Sequence, residues 1–132
     1  MAFLIDTNII IFALKDTGKQ LAEKLSNQSF TSLHLSSIVQ AELFHGAEKY
    51  GNPERRKQIL SEFLTPYHRI PFDSHCVPHY ARIRHHLEKQ GTVIGNNDLL
   101  IASTALAYDL TLITHNCVEF ARVPGLKWED WS

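Results

Sequence analysis

Apolar positions along this chain arrive in two rhythms. Short unbroken runs suit strands buried on both faces. They alternate with longer stretches whose apolar residues recur every three to four positions, the spacing of a helix. Residues 2–5 read as a first buried strand, and Asn8 to Leu14 and Lys19 to Ser26 as helical. Thr31 to Ser36 (TSLHLS) alternates enough for a second strand. Ser37 is placed to cap the next helix, with Gln40 completing a capping box. That helix sets Val39, Leu43, Gly46 and Tyr50 on one face and ends at Gly51. Asn52 as cap and Pro53 as first helical residue restart a helix that runs to Leu64.

His68 to Phe72 reads as a third strand, and Asp73 or Ser74 opens a long helix. In it Cys76, Tyr80, Ile83 and Leu87 fall at i, i+4, i+7 and i+11, and Gly91 ends it. The loop GTVIGNND leads into a helix from Asp98 to Tyr108, with Ile101, Ala102, Ala105 and Leu106 inward. Thr111 to Thr114 (TLIT) is a fourth strand. After the turn at Pro124-Gly125, LKWEDW closes the chain as a short edge strand. Strands alternating with helices predict an α/β fold with a mainly parallel sheet of four to five strands.

The 132 residues, 44% hydrophobic and 20% charged, are one domain's worth of chain with no repeat or linker. Cys76 and Cys117 form no CxxC pair and no disulfide framework, which fits a reducing cytosol. Ile9 to Leu14 is far too short to span a membrane, and Asp6 interrupts any signal-peptide core. The expectation is a soluble, cytoplasmic protein. A net charge of -1 gives no bulk signal for nucleic acid, so such a partner would need a local basic patch or a metal to meet its phosphates.

The candidate chemistry lies in carboxylates that break the apolar pattern. Asp6 falls directly after the first strand, between Phe3–Ile5 and Ile9–Ile11. A buried charge there needs a partner. Ligand crevices of parallel sheets lie at the carboxyl ends of strands, where Asp6 sits. Glu42 has Ile38 and Val39 one turn before it and so borders a buried face. Asp98 is followed by Ile101, Ala102 and Ala105 on a face that packs against the sheet. Thr114-His115-Asn116 follows the last parallel strand, with Glu119 three residues on. Carboxylates forced together raise one another's pKa unless a cation joins them, and a hard divalent ion such as Mg²⁺ takes oxygen ligands. Taken singly, each residue also has a reading without chemistry: Asp6 as a helix cap, Asp98 as a first-turn acid, Glu42 as a rim residue.

LIDTNIIIFAL, SSIVQAELFHGAEK, GTVIGNNDLLIASTAL and TLITHNCVEFARVPGLKWEDW follow, in order, the motif blocks of the PIN-domain family. The chain resembles in particular the VapC toxins of type II toxin–antitoxin systems, from Phe3 to Trp131, and its RVPGLKWEDW ending is similar to that of the enteric-type branch. The resemblance implies an α/β/α sandwich and a Mg²⁺- or Mn²⁺-dependent endoribonuclease. It implies in-line hydrolysis of an RNA phosphodiester, leaving a 5′-phosphate and a 3′-hydroxyl, with a tRNA anticodon loop as substrate. Asp6, Glu42 and Asp98 match the family's three main acids, the first and third as direct metal ligands. Asn116 stands where the family has an acid, and Glu119 could supply the missing charge. Thr7 and Thr114 match hydroxyl positions that orient carboxylate or water. The implied partners are a cognate VapB-type antitoxin that occludes the acidic pocket and a second copy of the chain in a homodimer. Operator DNA would be reached only through the antitoxin.

Other polar groups carry weaker signals. Arg82, Arg84 and His86, with Lys89, lie on the polar side of the helix after Asp73 and could meet phosphates. His115, beside the fourth position, could contact RNA or move a proton. His75 and His79 are spaced as metal pairs are, with Cys76 beside them, yet no third ligand has zinc spacing. Trp128 and Trp131 read as a closing hydrophobic staple. Two other functions compete with a toxin nuclease: a catalytically weak PIN-like binding module, suggested by Asn116, and a metal-dependent nuclease acting on DNA.

Overall fold

The computed structural model describes residues 2–15 and 19–132. Five strands form one parallel sheet: β1 (Phe3–Ile5), β2 (Leu33–Ser36), β3 (His68–Ile70), β4 (Thr111–Ile113) and β5 (Trp128–Glu129). Their spatial order is β3-β2-β1-β4-β5, and every pairing is parallel. β1 and β4 are buried along their whole length, as unbroken apolar strands covered on both faces must be. The connecting helices are α1 (Thr7–Ala13), α2 (Lys19–Ser26), α3 (Ser37–Glu48), α4 (Pro53–Leu64), α5 (Val77–Gln90), α6 (Asn96–Ala107) and α7 (Cys117–Phe120). The core joins Leu4, Ile5, Leu35 and Leu112 of the sheet to Ile10, Val39, Ile101 and Phe120 of the helices. No helix of the described residues is long and apolar enough to cross a membrane.

From β1 the chain moves outward through β2 to β3, and then returns to the other side of β1 for β4. The switch point of the sheet is therefore the gap between the carboxyl ends of β1 and β4. Asp6 leaves one of these strands and Thr114 the other. The Asp6 N–H donates to Ile113 O at 2.9 Å, so the two exits are stitched together.

Several element boundaries differ from the sequence expectation. Ser36, not Ser37, caps α3, its Oγ accepting from the Ile38 N–H at 2.9 Å. The Ser37 hydroxyl instead accepts from the Phe72 N–H at 3.4 Å, and no capping box with Gln40 forms. α3 stops at Glu48, leaving Tyr50 60% exposed under the Arg56 guanidinium rather than on a buried face. Asn52 occupies the cap position of α4 with φ 62° and makes no side-chain cap bond. β2 is preceded by a 3-10 turn over Phe30–Ser32. α5 begins at Val77, because the Asp73 carboxylate closes a turn onto the His75 N–H at 3.0 Å first. α6 begins at Asn96, so Asp98 lies inside its first turn rather than opening it.

Candidate active site

Asp6 ends β1 and caps α1. It is 4% exposed, and both its oxygens are engaged. Oδ1 accepts the Thr7 N–H at 2.8 Å and Oδ2 accepts the Thr114 hydroxyl at 2.7 Å. Burial pushes its pKa up. The Thr114 and Thr7 hydrogen bonds oppose that shift, and the nearby Glu42 charge adds to it.

From Asp6 a hydrogen-bonded arc extends both ways. On one side the Thr7 hydroxyl donates to Glu42 Oε1 at 2.6 Å, and Asn97 Nδ2 donates to Glu42 Oε2 at 3.4 Å. On the other side Thr114 Oγ1 accepts the Asn116 N–H at 2.9 Å, and Asn116 Nδ2 donates to Asp98 Oδ2 at 3.3 Å. Asp98 also shares a hydrogen bond with Glu119, presented by the short helix α7. The Asp98 carboxyl is pushed up to about 7 by burial, by that bond to Glu119, and by the charges of Asp6, Glu119 and Glu42. Four acids, one from the β1–α1 junction and three from α3, α6 and α7, thus gather at one end of the sheet.

None of the ion pairs among the described residues involves any of these four acids. Their donors are all oxygens, the set that a hard divalent cation prefers. Among the described residues no three His, Cys, Asp or Glu side chains converge on one ion-sized point. Asp98 nevertheless feels the charges of Asp6, Glu119 and Glu42 together. That suits an ion held by one or two carboxylates with water completing its shell, and not a closed cage of zinc type.

The structure brings Asp6, Thr7, Glu42, Asp98, Thr114, Asn116 and Glu119 into this one arc. Arg82, Arg84 and His86 lie apart from it, exposed on α5. Arg84 is committed to the Tyr80 hydroxyl at 2.7 Å and to Glu88 at 3.7 Å, and a cleft of about 230 Å³ separates it from Asn96. Cys76 is buried against Asp73 and Thr104, which removes it from the His75 and His79 pair. Trp131 sets its ring edge on Phe3 at 4.9 Å, closing the core. Two groups escaped the sequence reading. Asn97 holds Glu42 and was legible only as part of GNND; Asp130 holds His115 and was legible only as part of the closing EDW.

Beside Glu42 opens a second cleft, of about 440 Å³, between α1, α3 and α4. Its walls include Ile11, Leu14, Leu43, Ala47 and Ile59, and Lys15, Lys49 and Arg56 stand at it. Ile11, Leu14, Tyr50 and Ile59 remain exposed along it. Four partly exposed apolar side chains along one cleft are more than solvent alone explains.

Sheet order and acid placement together define the class: a parallel α/β protein with an acidic, all-oxygen centre at its switch point. Residues 3–126 match the family model of the PIN domain. Ribonuclease VapC2 of Rickettsia felis is 40% identical over 135 residues, covering 100% of this chain and 99% of the relative. The tRNA(fMet)-specific endonuclease VapC of Salmonella typhimurium is 34% identical, covering 99% and 98%. The crystal structure of DNA-bound VapBC from Salmonella typhimurium superposes with a TM-score of 0.93 at 33% identity, covering 100% of this chain and 99% of that one. The chain belongs to the PIN-domain family, in its VapC branch.

Proposed function

We propose that this chain is the toxin of a type II toxin–antitoxin pair, an endoribonuclease that hydrolyses a phosphodiester in a tRNA anticodon loop with Mg²⁺ or Mn²⁺. The observation that carries the reading is the arc of four carboxylates at the switch point, none of which takes part in an ion pair among the described residues. Asp6 and Asp98 would hold the ion, with Glu42, Asn116 and Glu119 within reach of its water shell. When bound, such an ion offsets the clustered charge and polarises the phosphodiester.

The chain's own residues do the rest. Thr7 and Thr114 fix the rotamers of Glu42 and Asp6, and Asn97 fixes the other Glu42 oxygen. Glu42, so held, orients the attacking water and accepts its proton. Asn116 keeps Asp98 aimed inward. A relative named as a tRNA(fMet)-specific endonuclease supports tRNA as the substrate. The solved relative in which VapB and VapC sit together on DNA supports an antitoxin partner and contact with operator DNA through it. The apolar cleft ends at Glu42, so an apolar antitoxin segment lying there would bring a basic side chain to the acids. A homodimer completes the assembly.

The test compares tRNA cleavage by the wild type, Asp6→Asn and Asp98→Asn, each with Mg²⁺ and with chelator. Cleavage by the wild type alone, and only with the ion, is the expected result. Equal cleavage by all three proteins assigns the activity to a contaminant. Binding of tRNA without cleavage supports the binding-module reading, and cleavage of DNA at the same rate removes the RNA assignment.

A further inference from the structure

Outside the acid arc, the loop after β4 carries a second hydrogen-bonded cluster. His115 Nδ1 lies 3.1 Å from Asp130 Oδ2 and 2.8 Å from Ser132 Oγ. The Ser132 hydroxyl donates to Asp130 Oδ1 at 2.6 Å, and the Ser132 N–H donates to the same oxygen at 2.9 Å. A hydroxyl has a single hydrogen, so toward Nδ1 Ser132 presents only lone pairs. Hydrogen bonds from Ser132, and then the approach of His115, hold the Asp130 carboxyl below the usual carboxylate range, so it too is an acceptor. Both neighbours of Nδ1 being acceptors, Nδ1 carries the hydrogen. In the neutral ring Nε2 is then left with its lone pair.

This ring is built into place. The β4–β5 register pairs Ile113 with Glu129, and the Thr114 N–H donates to Glu129 O at 3.0 Å, which brings His115 alongside Asp130. Trp131 packs on Phe3, and its carbonyl accepts from Lys24 Nζ at 3.2 Å, which anchors the closing segment. The His115 side chain is nevertheless 71% exposed, and Nε2 bonds to no group among the described residues. It stands between Thr114, which holds Asp6, and Asn116, which holds Asp98.

A polynucleotide crossing the acids passes this rim. Phosphate oxygens are acceptors and offer nothing to a bare Nε2. The hydrogen-bond donor that an RNA backbone adds, and DNA lacks, is the ribose 2′-hydroxyl. We propose that His115 Nε2 accepts a hydrogen bond from the 2′-hydroxyl of a nucleotide next to the scissile phosphate, with Asp130 and Ser132 as the positioning residues that fix its tautomer. The contact rests on the ribonuclease reading and makes His115 a discriminator of RNA against DNA.

The test uses the full chain at pH 8 with Mg²⁺ on an RNA oligonucleotide that the wild type cleaves. A matched set carries a single 2′-deoxy nucleotide at each position flanking the cleaved bond. In the wild type one deoxy position lowers kcat/KM about five- to tenfold, the worth of one hydrogen bond. His115→Ala loses about the same factor on all-ribose RNA and nothing further at that position. Asp130→Ala shrinks the deoxy penalty, whereas Asp130→Asn, which keeps an acceptor, retains it. A full penalty persisting in His115→Ala, or no sensitive position in the wild type, overturns the contact while leaving the ribonuclease reading intact. A wild type that cleaves no RNA, under conditions where its fold is verified, overturns both.

Discussion

The Thr114 hydroxyl donates to Asp6 Oδ2 at 2.7 Å while accepting the Asn116 N–H at 2.9 Å. One side chain therefore ties the acid that ends β1 to the loop that follows β4. Thr114→Val keeps the shape and removes the hydroxyl, leaving Oδ2 of a 4%-exposed carboxylate without its donor while Oδ1 keeps the Thr7 N–H. Losing the partner of a buried charged group costs about 1–3 kcal/mol. Thr114→Val should lower the urea midpoint at pH 7 accordingly and reduce RNA cleavage. Thr114→Ser, which restores the donor, should recover most of both. Equal behaviour of the two variants would argue against the hydrogen bond as the cause.

Asp98 makes the acid cluster a source of pH-dependent instability. Its folded pKa of about 7 lies above the ordinary value of 3.8, so between these limits the native state holds a proton that the unfolded chain has released. Stability from this group is therefore full below about pH 4 and falls as pH rises through 7. Asp98→Asn mimics the protonated form: its amide donates toward Glu119, and its oxygen still accepts from Asn116. With chelator present, the variant should melt several degrees above the wild type at pH 8 and level with it near pH 4. A constant difference across that range, followed by differential scanning fluorimetry, would exclude Asp98 as the titrating group.

The positions of Asp6, Glu42 and Asp98 were legible because each follows from local pattern: a polar break at a strand end, or an acid beside an apolar helical stripe. What escaped was set by non-local contacts. Ser36 and Ser37 are equivalent caps in sequence, and the Phe72 N–H, brought by β3, decides between them. α7 has four residues, too few for a helical period, so Glu119 was legible as a candidate only from its place three residues after Asn116, and its pairing with Asp98 was not. The His115–Asp130 pair, fifteen positions apart, depends on the register of the two-residue strand just before Asp130. The α5 arginines show the converse. Their exposed face and the partners of Arg84, Tyr80 and Glu88, lie on one helix and follow from its period.

The cleft between α1, α3 and α4 reaches the acid arc only at Glu42, so its far wall allows antitoxin binding to be tested apart from catalysis. Ile59 lines it, is 45% exposed, and takes no part in the acid arc. Ile59→Glu places a charge in the apolar wall without creating a cavity. It should weaken binding of the cognate antitoxin by at least tenfold in calorimetry, because an unpaired charge is costly to bury in an interface. Cleavage of tRNA by the free toxin should remain within about twofold of wild type. Loss of both activities together would place the substrate, rather than the antitoxin, in this cleft.

Asn116 is the position at which the arc carries an amide among acids, and that amide holds Asp98. Nδ2 donates to Asp98 Oδ2, a bond that a carboxylate cannot replace. Asn116→Asp adds a charge beside a carboxyl already raised to about 7 by burial and then by Glu119, Asp6 and Glu42. In chelator at pH 8 this variant should melt a few degrees below wild type, through like-charge repulsion. Saturating Mg²⁺ should reverse the order, since a ligand that binds only the native state stabilises it in proportion to RT ln(1 + [L]/Kd). The rise in melting temperature on adding Mg²⁺ should thus be larger for Asn116→Asp than for wild type, and absent in Asp6→Asn. If Mg²⁺ shifts all three proteins equally, the ion binds elsewhere and the arc is not its site.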